Sequence, residues 1–262
     1  MKNKILTKLH EIEKEQQIKI LYAVESGSRA WGFESQDSDY DIRFIYAHPL
    51  KWYLTVEEKR DIIEYPIQDE LDFSGWDIKK TLQLYKKSNP PLYEWLVSPI
   101  IYIENGNFAQ NLRKFMPQFY SPISSTYHYL HMAQGNYRQY LQTDKVRVKK
   151  YFYVLRPIFA CMWIEQYNFH PPMEFIVMLQ KLELGATLKR EVENLYNRKK
   201  SGEELDKENR IDVINAFLDR KISYFDNYLK EKAPKKNSKA AAVLLDAILQ
   251  EILIGDLKNT DI

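Results

Sequence analysis

The sequence predicts an α+β chain, with a small α/β-like domain over residues 1–110 followed by an all-helical domain over residues 111–262. Three observations predict it. Extended, β-favouring runs are confined to the first part of the chain. Helical periods flank them, at Ile5, Leu9 and Ile12 before and at Ile78, Leu82 and Tyr85 after. Farther on, apolar positions such as Tyr127, Leu130, Tyr137 and Leu141 fall at helical spacing alone.

Taken in order, residues 3–16 read as an amphipathic helix and 18–24 as a strand that ends in Ser26-Gly27-Ser28. The turn-rich Ser35-Gln36-Asp37-Ser38 leads into a second strand over 39–46. Further extended stretches cover 62–67 and 70–73. After Ser74-Gly75 the period changes to that of a helix, and Asn89-Pro90-Pro91 opens another helix through Trp95. A closing strand is expected over 98–103, the domain boundary between 105 and 122, and only helices beyond it. Arg156-Pro157 should kink or end a helix, because proline supplies no amide hydrogen and crowds the preceding turn. Pro171-Pro172 is a break, 232–237 a solvated linker, and 240–254 a last helix.

The 262 residues are 45% hydrophobic, enough to bury one large core or two modest ones. Basic and acidic residues nearly cancel, 38 against 36, which argues against a uniformly basic surface but leaves local patches open. The single cysteine, Cys161, lies in an apolar run, so no intrachain disulfide or cysteine-rich zinc site is available and a buried thiol is expected. No apolar stretch approaches the length of a membrane span, and the chain reads as soluble and cytoplasmic, with no membrane partner.

Asp39 and Asp41 are two residues apart in an extended segment, so both carboxylates fall on one strand face. At roughly 6.6 Å and an effective dielectric of about 20, their repulsion is on the order of 2 to 3 kcal/mol. A cation should therefore sit between them. Two Mg²⁺ ions suit such a site, since magnesium prefers carboxylate and phosphate oxygens. Ser28 precedes Asp39 by ten intervening residues, and Gly27-Ser28 comes directly off a strand, where backbone amides and a hydroxyl can meet a polyphosphate. Alternation sends Asp72 to the face opposite Leu71 and Phe73, making it the preferred third carboxylate. Asp77 is the alternative, although a first-turn carboxylate there would favour the positive end of a helix, a structural role. An Asp-x-Asp pair alone also fits a solvated strand edge; its order and spacing after the Gly-Ser turn favour chemistry.

Gly27-Ser28 followed by Asp39-Tyr40-Asp41 resembles the G-S-x(n)-D-x-D signature of DNA polymerase beta-like nucleotidyltransferases. More narrowly, the segments 26–33, 38–46, 75–80 and 89–96 resemble the RlaP-type nucleotidyltransferases, over the first hundred residues or so. The resemblance implies a small mixed sheet with the two motif strands adjacent, a helical domain closing over a nucleotide, Mg²⁺ and an NTP substrate. It implies that Gly27 and Ser28 hold terminal phosphates, that Asp39 and Asp41 coordinate metal, and that Asp72 activates the acceptor hydroxyl or binds the second metal.

Arg29 and Arg43 stand beside the motif as candidate phosphate ligands or carboxylate partners. In the helical half, Lys149, Lys150 and Arg156 are the candidate nucleotide-binding cations, within a basic run that a solvated helix face would also explain. His128 and His131 have a metal-compatible spacing but no completing ligand, and a packing role is expected. Most tyrosines of this half read as core or interface. The expected function is transfer of a nucleoside monophosphate from an NTP to an acceptor hydroxyl, on an RNA end, a protein or a small molecule. The competing reading is a non-catalytic nucleotide-binding regulatory or antitoxin-like module.

Overall fold

The computed structural model describes residues 1–35, 38–203, 205–232 and 239–255. The chain opens with α1 (Lys2–Gln16), which buries Ile5, Leu9 and Ile12 and stops where Gln17 turns left-handed at φ 52°. β1 (Lys19–Glu25), a single turn α2 (Gly27–Ala30) and β2 (Tyr40–Ala47) follow. Next come α3 (Leu50–Tyr53), β3 (Ile62–Glu64) and β4 (Leu71–Asp77). α4 (Ile78–Lys86) is capped by Asp77, whose carboxylate accepts from the Lys79 amide, and α5 (Pro90–Leu96) is capped by Asn89. β5 (Ile101–Glu104), α6 (Phe108–Phe119) and the Ser121-capped α7 (Pro122–Tyr140) complete the first half.

The described strands of this half form one mixed sheet in the order β3-β4-β2-β1-β5. β1 runs antiparallel to β2 and β5, β2 parallel to β4, and β3 antiparallel to β4. One face carries Ile20, Ala23, Ile42, Phe44, Leu71 and Phe73 against α1. The other carries Leu21, Val24 and Ile45 against α4, α5 and α6. The strand expected over 70–73 continues through Ser74-Gly75 to Asp77. Gly75 fits there because the Phe44 ring lies over it: an added Cβ would sit 2.2 Å from Phe44 Cε2.

The second half contains β6 (Lys145–Arg147), a 3₁₀ turn (Val148–Tyr151), α8 (Phe152–Tyr167), α9 (Phe175–Lys181), α10 (Ala186–Lys200), β7 (Lys207–Asn209), α11 (Asp212–Lys230) and α12 (Lys239–Gly255). It is therefore not wholly helical: β6 and β7 pair as an antiparallel ribbon. Pro157 lies inside α8 and does not end it; the bond it cannot donate would have gone to Tyr153, only one residue into the helix. The break at Pro171-Pro172 falls between α8 and α9 as expected, whereas the linker expected over 232–237 lies, apart from Lys232, outside the described residues.

Packing does not divide the chain at residue 110. Phe108, Leu112, Met116 and Phe119 of α6, with Leu245, Ile248 and Leu253 of α12, share a core with Leu21, Tyr22 and Val24. Conversely, Phe33 belongs to the helical core, stacked on Phe152 at 4.6 Å. Among the described residues no helix is long and apolar enough to cross a membrane. Cys161 is fully buried, and burial pushes its thiol pKa up.

Candidate active site

β1 carries Ser26-Gly27-Ser28 to the end of the sheet, where the Ser26 amide donates to Asp41 O at 2.8 Å. Gly27 has φ +57°, and a Cβ built on it would lie 1.8 Å from Asp41 Oδ2. Only glycine permits this close approach of the turn to the carboxylate. Gly27 and Ser28, which open the α2 turn, line the cleft, and the first amides of such a turn have no intrahelical acceptor.

Asp41 and Arg43 alternate onto one face of β2, with Ile42 and Phe44 buried on the other, and Asp39, just ahead of the strand, lines the same cleft. The parallel register sets Asp41 directly beside Asp72. Asp77 is instead buried at the far end of β4, bonded to Tyr53 Oη and the Lys79 amide. Between Asp41 and Asp72 lies the Arg43 guanidinium, with Nη2 2.9 Å from Asp41 Oδ1 and 2.7 Å from Asp72 Oδ2. Its Nη1 donates to Asp72 O and Ile42 O. Of the two roles expected for Arg43, the structure shows the carboxylate partner, and Asp72 is held by the same guanidinium.

The Asp41 pKa is raised. Burial is the main cause; Arg43 opposes it, and the charges of Asp72 and Asp39 add to it. Beneath Asp41 lies a carboxylate missing from the sequence-derived set: Glu25, fully buried, accepts from the Asp41 amide at 2.8 Å and from Tyr102 Oη. Burial raises its pKa as well. Its only mark in the sequence is a lone acid ending an apolar run just before Ser26-Gly27-Ser28.

The facing wall comes from the helical half. Lys149 and Lys150, from the 3₁₀ turn, and Tyr153 of α8 line a cleft of about 890 Å³ with Ser26, Gly27, Ser28, Asp39, Asp41 and Arg43. Tyr153 stands partly exposed there; burial raises its pKa first, and Asp41 raises it further. Lys199, at the end of α10, also reaches the cleft and donates to Ser35 Oγ at 3.0 Å; sequence reading missed it because it lies some 160 residues from the motif.

Arg29 and Arg156 do not line the cleft. Arg29 braces the loop behind it, donating to Ser38 O at 2.7 Å and lying 3.6 Å from the Tyr40 ring centroid. Arg156 is sealed in the core, ion-paired with Glu94 at 2.7 Å and stacked 4.6 Å from the Trp31 ring. The expectation of a nucleotide-binding Arg156 gives way to a tie between α8, α5 and the segment after α2. His128 and His131 gather no third ligand: among the described residues no group of three His, Cys, Asp or Glu side chains is arranged to hold a metal ion.

A small mixed sheet that brings a Gly-Ser turn and strand carboxylates against a helical half is the architecture of a polymerase beta-like nucleotidyltransferase. The chain belongs to the RNA repair pathway DNA polymerase beta family, RlaP, whose family model matches residues 1–251. It is 53% identical over 238 residues to the protein YcgL of Bacillus subtilis (strain 168), covering 90% of this chain and 92% of that one. Among solved structures, a nucleotidyltransferase-like protein from Exiguobacterium sibiricum 255-15 aligns over 97% of this chain and 91% of its own, at 11% identity and a TM-score of 0.33.

Proposed function

We propose that the protein transfers a nucleoside monophosphate from an NTP to an acceptor hydroxyl, with release of pyrophosphate, in a magnesium-dependent reaction. The observation that carries this reading is the fit of Gly27 against Asp41, which joins a polyphosphate-ready turn to an under-neutralised carboxylate face at the mouth of one cleft. Asp39 and Asp41 suit magnesium because the ion takes one or two protein carboxylates, completing its octahedron with substrate phosphate oxygens and water. A cage of three protein ligands is not needed. When bound, magnesium would neutralise charge on the reacting phosphate.

The chain's own groups then divide the work. Gly27 and Ser28 cradle the terminal phosphates, Lys149 and Lys150 meet them from the facing wall, and Arg43 holds Asp41 in place. The acceptor oxygen bonds to the α-phosphorus as the bridging bond to pyrophosphate breaks, and the hydroxyl proton passes to the carboxylate cluster. The family's name points to RNA as the acceptor, and an RNA end supplies the hydroxyl. The test is magnesium-dependent transfer of label from α-labelled NTP to RNA by wild type and by Asp39→Ala/Asp41→Ala. Label that depends on the carboxylates supports the reading, and equal labelling by the double variant overturns it.

A second reading, a nucleotide-binding module without turnover, is favoured by one observation: Arg43 already spans Asp41 and Asp72. It predicts NTP binding with no label transferred to any fraction.

A further inference from the structure

β6 and β7 form a ribbon whose two faces differ in charge. In register, Lys145 pairs with Asn209, Val146 with Glu208 and Arg147 with Lys207. Val146 is buried on the inner face, and Glu208 opposite it is ion-paired with Arg198 at 2.6 Å. Lys145, Arg147 and Lys207 are exposed on the outer face, with Arg147 and Lys207 directly opposed. Like charges in that position destabilise a sheet. Among the described residues no carboxylate is ion-paired with any of the three, although nearby Arg198 and Arg210 both have acidic partners.

The ribbon is continuous with the cleft. Arg147 leads directly into the turn that carries Lys149 and Lys150, and the Val148 amide bonds Asp206 O at 3.1 Å just ahead of β7. Lys150 Nζ lies 4.4 Å from the Tyr140 ring centroid and 4.5 Å from that of Tyr153. Tyr153 is 44% exposed beside these cations, and cations next to an exposed ring suit a single strand, whose phosphates take the charges and whose bases stack.

We propose that the outer face of the β6–β7 ribbon, through Lys145, Arg147 and Lys207, binds the phosphate backbone of a single-stranded nucleic acid and leads its end past Tyr153 into the cleft. The reactive meaning of that end rests on the transfer reading; the binding does not. An acidic protein segment would meet the same cations but would leave Tyr153 unused.

The test compares wild type with Lys145→Thr/Arg147→Thr/Lys207→Thr, using a fluorescein-labelled oligoribonucleotide of mixed sequence and its DNA counterpart. Anisotropy is read from about 50 to 200 mM KCl. Wild type binds with steep salt dependence. The triple variant binds at least about tenfold more weakly, and its log–log salt slope is shallower by about 2, three contacts at roughly 0.7 each. The single variant Lys207→Glu, which gives Arg147 a cross-strand partner, loses affinity while its melting temperature holds or rises. Mg-ATP affinity is unchanged in both variants.

Wild type that ignores both oligonucleotides, variants with unaltered affinity and slope, or polyglutamate that displaces the labelled strand as well as the unlabelled oligonucleotide does at equal charge would each overturn the proposal. Ribbon-dependent oligonucleotide binding without label transfer supports the surface while the acceptor reading fails. Transfer with ribbon-indifferent binding does the reverse.

Discussion

Two arginine–carboxylate clusters use the same chemical groups to opposite ends. In the core, Arg156 meets Glu94 with side chains only 3% and 8% exposed, and Tyr129 Oη donates to the same Glu94 oxygen at 2.7 Å. That pair is balanced and sealed. In the cleft, the Arg43 guanidinium bridges Asp41 and Asp72 with Asp39 exposed nearby, so the bridge leaves negative charge over. A balanced buried pair ties elements together, and removing one partner strands the other's charge. An open, unbalanced cluster keeps capacity for a further cation. Leftover charge, more than an arginine beside a carboxylate, separates chemistry from structure.

The sharpest way to break the comparison is Arg156→Ala. Loss of one buried partner should cost about 3 to 5 kcal/mol in urea unfolding, while the folded fraction keeps wild-type Mg-ATP affinity. A variant of normal stability that no longer binds ATP would put both clusters in the same category. Gly27→Ala acts on the cleft instead. With an added Cβ 1.8 Å from Asp41 Oδ2, the carboxylate or the turn must move. Displacement on the order of 1 Å should lower kcat/KM for label transfer about a hundredfold, roughly 2.7 kcal/mol in barrier. The positive φ adds about 1 kcal/mol of instability. Undiminished turnover would detach the Gly27–Asp41 fit from the chemistry.

The smallest effect is in the pH dependence of stability. Asp41 and Glu25 have folded pKa values raised chiefly by burial, so the folded protein holds protons that the unfolded chain has released. Their contribution is therefore most favourable at low pH and is lost as pH rises from the ordinary carboxylate range through the raised values. Melting curves at constant ionic strength should show that decline without magnesium, a shallower one in Asp41→Asn, and a larger stabilisation by Mg²⁺ at the upper pH than at the lower. Magnesium stabilisation that is equal at both ends would count against Asp41 as its ligand.

Local features of this site were legible and long-range ones were not. Asp41 lies on the strand face that the period of two gives it, with Asp39 just ahead of the strand and lining the same cleft, and Asp72 opposes Leu71 and Phe73 for the same reason. Asp77 could be read as structural from its place at a helix start, and it proves to be the cap of α4. Arg43's engagement depended on the parallel register of β2 with β4, set by residues about thirty positions apart. Arg156 carried the same basic signal as Lys149 and Lys150, and only its partner in α5 distinguishes it. Three-residue strands as far apart as β6 and β7 leave too little alternation to detect. The last helix was visible as a helix, but its seat on the N-terminal core was not.

That seat has a consequence for how the protein is made. Translation delivers β1 and β2 early, while Leu245, Ile248 and Leu253, which complete the apolar cover on one side of their sheet, are among the later residues synthesised. The first half therefore completes its apolar cover only once α12 has been made, and any folding intermediate that precedes it leaves part of that core open to aggregation.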